Sequence, residues 1–267
     1  MSIRNLMFGR CSRLIALTVL MTGTVWAAEN PFVGEWKLSR SKSKLTDQMK
    51  VGQVDTNKYA FDFAGDGNGE TIVIDGTDQP GNSGTTLAVT SEGPNAWKVV
   101  RKKDGRKLLS ADWTLSNDGQ TLTDNYTDIP SSGSPATVKY VYSRHGTGSG
   151  FAGTWITTNM AVNFDLTLQL RPYEGDGLSI LDSTSKLTRN MRLDGKDYPN
   201  AGENASFVPT SSLRRLDEHT LELTDKRGNG HVFDTQEMKL SPDLKTLTVT
   251  QGITGRVVPS ILVFERQ

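Results

Sequence analysis

The chain has 267 residues, of which 35% are hydrophobic and 7% aromatic, and it carries 30 basic and 30 acidic side chains. This charge balance argues against a strongly basic nucleic-acid-binding protein. A single cysteine excludes an internal disulfide framework and a thiolate zinc site. The length alone allows one large domain or two small ones.

The N-terminal segment has the pattern of a secretory signal peptide. Three arginines precede an apolar run, residues 14–24, and this run ends at Val25-Trp26-Ala27. The run is about half of the roughly 20 residues that a membrane-spanning helix needs. We therefore predict that residues 1–27 are removed, together with Cys11, and that the protein is secreted or periplasmic with no transmembrane segment. Since residues 1–27 hold three arginines and no acid, the mature chain carries a formal charge of −3.

The remaining chain contains the same unit twice. Phe-x-Gly-x-Trp occurs at 32–36 and returns, with the same three residues, at 151–155. Asp-Gly-x-Asp-x-Pro occurs at 75–80 and at 194–199, and both motifs recur after 119 positions. Because two separate motifs share one spacing, we infer an internal duplication.

The later part of each unit also matches. The segment at 115–123 resembles the segment at 240–248, and both units end with an aromatic residue followed two positions later by arginine, at 142–144 and 264–266. A period near 120 residues is much longer than that of solenoid repeats. Each unit is large enough to bury a core of its own.

These matches give the predicted domain boundaries. The first repeat covers residues 28–145 and the second covers 151–267. Residues 146–150, Gly-Thr-Gly-Ser-Gly, have the composition of a flexible linker.

Each repeat reads as β-strands joined by tight turns. Apolar and polar residues alternate in stretches such as 59–63 and 164–170, and Asp-Gly or Asn-Gly pairs that suit two-residue hairpins separate many of the strands. The pattern predicts an all-β protein of two tandem antiparallel up-and-down barrels with about eight strands each. A β-sandwich is the alternative, because a strand count does not determine connectivity. A single transmembrane barrel is disfavoured by the small number of aromatic residues.

The repeats resemble the lipocalin-like, calycin-type barrels, including a group of secreted bacterial lipocalin-like proteins. The resemblance rests on a Gly-x-Trp in the first strand and an arginine in the last strand of each copy. It implies that the arginine lies across the tryptophan and closes one end of the barrel, with Trp36 paired to Arg144 and Trp155 paired to Arg266. Such a cation–π contact contributes about 1–2 kcal/mol when it is desolvated. The Thr-Asp-Tyr triplet of many lipocalins is present only in a stretched form, at 123–126.

Other polar residues fit structural roles better than chemical ones. Four aspartates lie in the duplicated Asp-Gly-x-Asp-x-Pro motif, where glycine and proline indicate a turn: Asp75, Asp78, Asp194 and Asp197. The three histidines do not have the spacing of a metal site: His145, His219 and His231. We predict no catalytic residue, no metal site and no cofactor, and we find no Gly-x-Ser-x-Gly elbow or phosphate-binding loop.

The predicted function follows from the barrel shape. A barrel of about eight strands is just wide enough to hold one small molecule. We therefore expect a protein that binds a small, mainly hydrophobic ligand, with no nucleic-acid partner and with ligand-binding residues and protein partner unassigned. The alternatives are a cavity enzyme of isomerase or hydratase type on the same barrel, and a non-catalytic structural or interaction module of the cell envelope.

Overall fold

The structure is a computed structural model that describes residues 30–63, 65, 67, 69–130, 134–163, 165–182 and 187–267. The predicted signal peptide, residues 1–27, lies outside this part of the chain. The regular structure consists of antiparallel strands with two short 3₁₀ turns, Arg40–Lys42 and Asn82–Gly84. Within the described ranges, no helix is both long and apolar enough to cross a bilayer.

One sheet of ten antiparallel strands, which we call the first barrel, runs in chain order from β2 to β11. Its strands are β2 (Gln48–Asp55), β3 (Lys58–Asp62), β4 (Glu70–Val73), β5 (Gln79–Pro80), β6 (Thr86–Gly93), β7 (Ala96–Lys103), β8 (Arg106–Leu115), β9 (Thr121–Asp128), β10 (Ala136–His145) and β11 (Gly153–Val162). The last strand pairs with the first, and the sheet order ends at β4 and β5. The first barrel is therefore nearly closed, with a gap between these two short strands.

The other sheet, the second barrel, also has ten strands and is fully closed. Its strands are β1 (Gly34–Leu38), β12 (Thr167–Tyr173), β13 (Gly177–Asp182), β14 (Leu187–Met191), β15 (Asp194–Gly202), β16 (Thr210–Asp217), β17 (Thr220–Lys226), β18 (Val232–Leu240), β19 (Thr246–Ile253) and β20 (Ser260–Arg266). The N-terminal strand β1 lies between β12 and β20. Closure of this barrel thus depends on the first strand of the described chain.

The two repeats exchange their first strands. Trp36 of β1 lies opposite Leu168 in β12 and Arg266 in β20, all within the second barrel. Trp155 of β11 lies opposite Arg144 in β10 and Met49 in β2, all within the first barrel. Each barrel is therefore built from nine strands of one repeat and the first strand of the other.

This exchange corrects the expected role of the glycine-rich segment. Residues 146–150, predicted to link two barrels, connect β10 and β11 inside the first barrel, where these strands form a long hairpin. The chain passes between the barrels after β1 and again after β11. The repeat boundaries at 28–145 and 151–267 stay a prediction about the sequence, and sheet membership follows a different division.

The segment after β1 shows why β1 does not fold back onto β2. The Ser39 N–H donates to the carbonyl of Val263 at 2.7 Å, and Lys44 exchanges two backbone hydrogen bonds with Ile261, at 2.7 and 2.9 Å. The hydroxyl of Thr46 then donates to the carbonyl of Val258 at 3.1 Å. The chain thus continues along β20 of the second barrel before it enters β2, because it contains no two-residue turn at this point.

Each barrel encloses its own hydrophobic core. Buried residues of the first core include Phe61, Ile72, Leu87, Leu122 and Trp155. Those of the second core include Trp36, Leu170, Leu213, Leu247 and Phe264. Inward-facing residues alternate with outward-facing ones along the strands, as the sequence pattern indicated.

The predicted fold class is confirmed. The protein is all-β, and both sheets are antiparallel up-and-down barrels, so the sandwich alternative is wrong. Each barrel has ten strands where about eight were expected. In the first barrel the difference arises from β4 and β5, which have four and two residues and are too short to give a clear alternating pattern.

Strand exchange predicts which fragment folds alone. Residues 44–163 contain all ten strands of the first barrel, whereas residues 28–145 contain β1 and lack β11. We expect fragment 44–163 to show a cooperative thermal transition and a near-ultraviolet circular dichroism spectrum from fixed aromatic side chains, and fragment 28–145 to show neither. If only the repeat-based fragment folds cooperatively, the exchange of strands is wrong.

Candidate functional site

The four barrel-closing residues form two cation–π pairs, but across the two copies. The Arg266 guanidinium carbon lies 4.1 Å from the Trp36 ring centre, and that of Arg144 lies 4.3 Å from the Trp155 ring centre. The predicted pairs, Trp36 with Arg144 and Trp155 with Arg266, are therefore wrong. Because β1 and β11 have changed places, each tryptophan meets the arginine at the end of the other copy.

Each arginine also binds backbone carbonyls at the barrel end. Arg266 donates to the carbonyls of Leu244, Val33 and Pro31 at 2.7, 2.6 and 2.6 Å. Arg144 donates in the same manner to Gly119, Gly150 and Ala152. Desolvation lowers the pKa of both guanidinium groups from its ordinary value. Since these groups are occupied by carbonyls and rings, they are not available to a ligand, and barrel closure stays a prediction for them.

The guanidinium also explains the glycine of the Gly-x-Trp motif. A Cβ atom on Gly34 would lie 2.7 Å from Arg266 Nη1, and one on Gly153 would lie 2.6 Å from Arg144 Nη1. Carbon and nitrogen atoms that are not bonded to each other do not approach this closely, so glycine at this position leaves room for the arginine.

The duplicated aspartates differ in their surroundings: Asp75 lies in a bend before β5, whereas Asp194 and Asp197 lie within β15, at a shift in strand register. Asp75 Oδ1 accepts a hydrogen bond from the Thr77 N–H at 2.8 Å, and Asp194 Oδ1 accepts one from the Lys196 N–H at 3.1 Å. The second aspartate of each motif pairs with a lysine at 2.8 Å, Asp78 with Lys102 and Asp197 with Lys226. In the described part of the chain, no group of three or more His, Cys, Asp or Glu residues is arranged to hold a metal ion.

The first barrel contains a cavity of about 250 Å³. Its apolar lining includes Met49, Phe63, Leu87, Val99, Leu109 and Ala111, and its polar and aromatic lining consists of Asp47, Arg101, Trp113, Asp124, Tyr126, Tyr140 and Tyr142. An engineered cavity of about 150 Å³ in another protein is known to take up benzene. The first-barrel cavity is therefore large enough for a small organic molecule.

Asp124 is the most unusual residue of this cavity. It lies on β9 directly opposite Trp113 of β8 and Tyr140 of β10, and it is only 6% exposed. Among the described residues, its Oδ1 atom has no hydrogen-bond partner, and neither has the Trp113 Nε1 atom. Because a buried carboxyl oxygen without a partner is costly, this position is a candidate contact for a bound molecule.

The protonation of Asp124 reflects this environment. Its pKa is raised to about 7: burial is the main cause, the nearby Trp113 indole partly opposes the shift, and the carboxylates of Asp47 and Asp112 add to it. The indole is close to Asp124, although the pair lacks regular hydrogen-bond geometry. Burial also raises the pKa of Tyr126, Tyr140 and Tyr142. The three phenols are therefore neutral at pH 7, while Asp124 gains or loses its proton there.

Asp47 also lines the cavity, but it has a counter-ion. Its carboxylate lies 2.6 Å from Arg256 Nη2, and the Tyr142 hydroxyl donates to its Oδ2 atom at 2.9 Å. Arg256 follows β19 in the second barrel, and Asp47 immediately precedes β2. Burial raises the pKa of Asp47, and Arg256 opposes this shift. This ion pair therefore joins the two barrels beside the cavity.

The Arg101 side chain is occupied as well. It forms an ion pair with Glu70 of β4, and its Nη1 atom donates to Thr85 Oγ1 at 2.8 Å. Glu70 also accepts a hydrogen bond from the Asn82 N–H at 2.8 Å. These contacts connect β4 to β7 and so brace the gap between β4 and β5.

The second barrel has the equivalent ion pair with its charges reversed. Arg189 of β14 binds Asp225 of β17, with distances of 3.0 Å from Nε to Oδ1 and 2.6 Å from Nη2 to Oδ2. The strand registers match, since Glu70 lies opposite Phe61 and Arg189 opposite Ile180, each in the preceding strand. Ser211 fills the adjacent space by donating to Asp225. The two barrels thus have a buried ion pair at the same position, with the acidic and basic residues interchanged.

The carboxyl group of Asp124 has no equivalent in the second barrel. By strand register, Val249 occupies the corresponding position, between Met238 and Leu262. Phe264 corresponds to Tyr142, and both Val249 and Phe264 are buried in the second core. A barrel of this type therefore closes and packs without a carboxyl at this position.

A smaller cavity of about 210 Å³ lies between the barrels. Its lining includes Leu38 and Leu262 on one side and Val138 and Met160 on the other. Tyr140 borders both cavities. Among the described residues that line this second space, none has a buried polar side-chain atom without a hydrogen-bond partner, so we place the candidate site in the first barrel.

Sequence reasoning did not identify the residues of this site. The sequence places Asp124 only in a stretched Thr-Asp-Tyr motif and Tyr142 only in the closing segment at 142–144, and neither position indicates a binding role. A usable signal was present: the matched segments 115–123 and 240–248 extend by one position to Asp124 and Val249. Comparison of the copies shows that the first has a carboxyl, Asp124, where the second has an inward-facing valine, Val249.

The exchanged cation–π pairs predict a pattern of energetic coupling. In double-mutant cycles with Trp36→Phe, we expect Arg266→Met to show a coupling energy of about 0.5–3 kcal/mol, because the two side chains are in contact. Arg144→Met should be additive with Trp36→Phe to within about 0.5 kcal/mol. Urea unfolding of the single and double variants measures both values. Coupling of Trp36 to Arg144 instead of Arg266 would contradict the observed pairing.

The raised pKa of Asp124 predicts a loss of stability as the pH increases. The folded protein holds this proton more tightly than the unfolded chain, whose aspartate has a pKa near the ordinary 3.8. The free energy of unfolding should therefore fall as pH rises from about 4 to about 7. At 1.36 kcal/mol per pKa unit, this residue accounts for a fall of roughly 2–3 kcal/mol between pH 5 and pH 8.

Urea unfolding at pH 5 and pH 8 tests this expectation with Asp124→Asn, which should lose less stability than the wild type by roughly 2–3 kcal/mol. Asp112→Asn is the matched control, since Asp112 is exposed on β8 and pairs with Lys98. Equal losses in the wild type and Asp124→Asn would show that Asp124 is not the responsible group.

Comparisons with known proteins do not assign the chain to a family. No protein-family model, no curated protein and no solved structure matches the chain. What supports a function is therefore the cavity of the first barrel and the residues that line it.

Proposed function

We propose that the protein binds a small, mainly apolar molecule inside the first barrel. The observation that carries this proposal is the cavity of about 250 Å³ between Phe63, Leu87 and Ala111 on its apolar side and Asp124 on its polar side. Ligand pockets in proteins have this composition, with many apolar groups and a few polar groups that orient the ligand. The volume lies just below the usual range, which begins at about 300 Å³, and so favours a molecule smaller than most drugs.

The proposal includes the compartment and the relationship suggested by the sequence. The segment at 1–27 has the pattern of a signal peptide, which supports a secreted or periplasmic protein. The antiparallel barrels and the Trp–Arg closures are compatible with a lipocalin-like, calycin-type ancestry. In this interpretation the first barrel binds the ligand, and the second barrel has Val249 at the position of Asp124.

A second candidate function is general acid–base catalysis in the same cavity. It is favoured by one observation, the pKa of about 7 for Asp124, because catalytic acids and bases act best when their pKa is near the working pH. A molecule bound beside Asp124 could then exchange a proton with its carboxyl. New product resonances in the binding experiment described next would reveal such turnover.

Binding can be tested with small neutral probes. We expect toluene and benzyl alcohol to bind the purified protein, and saturation-transfer NMR should detect them, because a cavity of this size and lining takes up such molecules. Filling the cavity with Ala111→Leu should abolish the signal. Circular dichroism and thermal unfolding would verify that this variant remains folded, since overpacking costs about 1–3 kcal/mol.

The control is Ala60→Leu, a change of the same size on β3. Ala60 alternates with the inward-facing Phe61 and does not line the cavity. This variant should bind both probes as the wild type does. Failure of the wild type to bind either probe would contradict the proposed function and would favour a structural or interaction role.

A further inference from the structure

We infer that the first-barrel cavity takes a small organic cation, with an apolar body and one ammonium group that pairs with Asp124. This inference rests on the proposed function and names the charge of the ligand. Four observations support it: the balance of charges in the cavity, the unsatisfied oxygen of Asp124, the aromatic rings beside it, and the comparison with the second barrel.

The charges of the cavity leave one carboxyl without a counter-ion. Of the side chains that line it, Asp47, Arg101 and Asp124 can carry a charge. Asp47 is paired with Arg256, and Arg101 is paired with Glu70. Within the described residues, no cation lies close enough to Asp124 to lower its pKa. When Asp124 is ionised, the cavity therefore has an excess of one negative charge, and a ligand with one positive charge would balance it.

The unsatisfied oxygen of Asp124 is suited to a hydrogen-bond donor. It belongs to a side chain that is only 6% exposed and that lies in the cavity wall between β8 and β10. An ionised carboxylate accepts hydrogen bonds and cannot donate them. An ammonium group donates hydrogen bonds and accepts none, so the two groups are chemically complementary.

Aromatic rings surround the same part of the cavity. Tyr140 forms an edge contact with Tyr126 at a ring separation of 6.3 Å and stacks on Tyr142 at 5.6 Å. Trp113 lies across from Asp124 in the neighbouring strand. Aromatic faces attract cations, and the attraction increases when water is excluded. The phenols stay neutral because burial raises their pKa, so they provide rings and hydroxyls without adding charge.

A ligand with a negative charge would be disfavoured in this cavity. A carboxylate ligand would lie beside Asp124 and near Asp47, and Arg101 would have to give up Glu70 and Thr85 to approach it. Like charges in a buried site repel strongly, so an anion should be rejected. A neutral ligand fits the apolar lining but leaves the carboxyl of Asp124 without a counter-ion.

The second barrel shows that the carboxyl is not required for closure. Val249 occupies the equivalent position and packs between Met238 and Leu262 in a fully closed barrel. Burying an unpaired carboxyl lowers stability, whereas valine at this place does not. Burial of the ionised Asp124 carboxylate costs free energy because the group loses its hydration. A bound cation offsets this cost by forming an ion pair with the carboxylate.

The test uses four probes of nearly equal size: benzylamine, benzyl alcohol, toluene and benzoate. Measurements at pH 8 keep Asp124 ionised, and alkylammonium groups such as that of lysine are still charged there. The charged groups that act on the pKa of Asp124 are the carboxylates of Asp47 and Asp112, and both are kept in all samples except the control variant. We expect benzylamine to bind about tenfold or more tightly than benzyl alcohol, and benzoate not to bind.

Asp124→Asn supplies the discriminating measurement. We expect it to weaken benzylamine about tenfold or more, because loss of one partner of a buried charge pair is costly, and to change benzyl alcohol and toluene by less than about threefold. Asp112→Asn, which removes an exposed carboxylate on the adjacent strand, should leave all four affinities within about threefold. Calorimetry or ligand-observed NMR measures each dissociation constant.

The outcomes separate the two proposals. If neutral probes bind and benzylamine binds no more tightly, or if Asp124→Asn weakens all probes alike, the cation inference is wrong while the ligand-binding function stands. If none of the four probes binds the wild type, both are overturned. If benzoate binds most tightly, the charge assignment is reversed and the inference fails.

Discussion

The pairing of β1 with β12 and β20 is the constraint on which the architecture depends. A barrel has no exposed edge only when every strand has two neighbours, and the second barrel obtains its tenth strand from the other repeat. This choice places β11 in the first barrel, brings Trp36 to Arg266, and makes residues 39–47 run along β20. Asp47 then emerges beside Arg256 and the first-barrel cavity, so the site and the exchange are parts of one arrangement.

The sequence predicts the type of fold much better than its connectivity. Alternation and Asp-Gly turns indicate antiparallel barrels because they report local geometry, and the Trp and Arg residues do form cation–π pairs. Their partners were assigned to the wrong copy because the two Gly-x-Trp strands are nearly equivalent and either could fill either barrel. The choice depends on residues 39–47, whose contacts with β20 combine backbone hydrogen bonds with side-chain ones from Ser43 and Thr46, and no sequence motif marks these residues.

The site was hidden for a different physical reason. Alternation identifies Asp124, Tyr126, Tyr140 and Tyr142 as inward-facing, but a cavity results from the combined volumes of many side chains on different strands. The same inward positions hold Val249 and Phe264 in the second barrel, where they form part of the packed core. The informative feature is therefore the difference between the copies, which becomes meaningful only when strand register shows that the positions correspond.

The reversed ion pairs have a consequence for how a duplicated chain reaches one structure. If β4 were to enter the second barrel, Glu70 would meet Asp225, and Arg189 would meet Arg101 in the first barrel; both encounters would bury like charges. Proteins with repeated units are prone to misassembly between copies. Because the acidic and basic residues are interchanged, β4 forms its ion pair only with β7, and β14 only with β17. The ion pairs therefore favour keeping these strands in the barrel of their own repeat. The duplicated chain thus exchanges β1 and β11, while the ion pairs disfavour an exchange of β4 and β14.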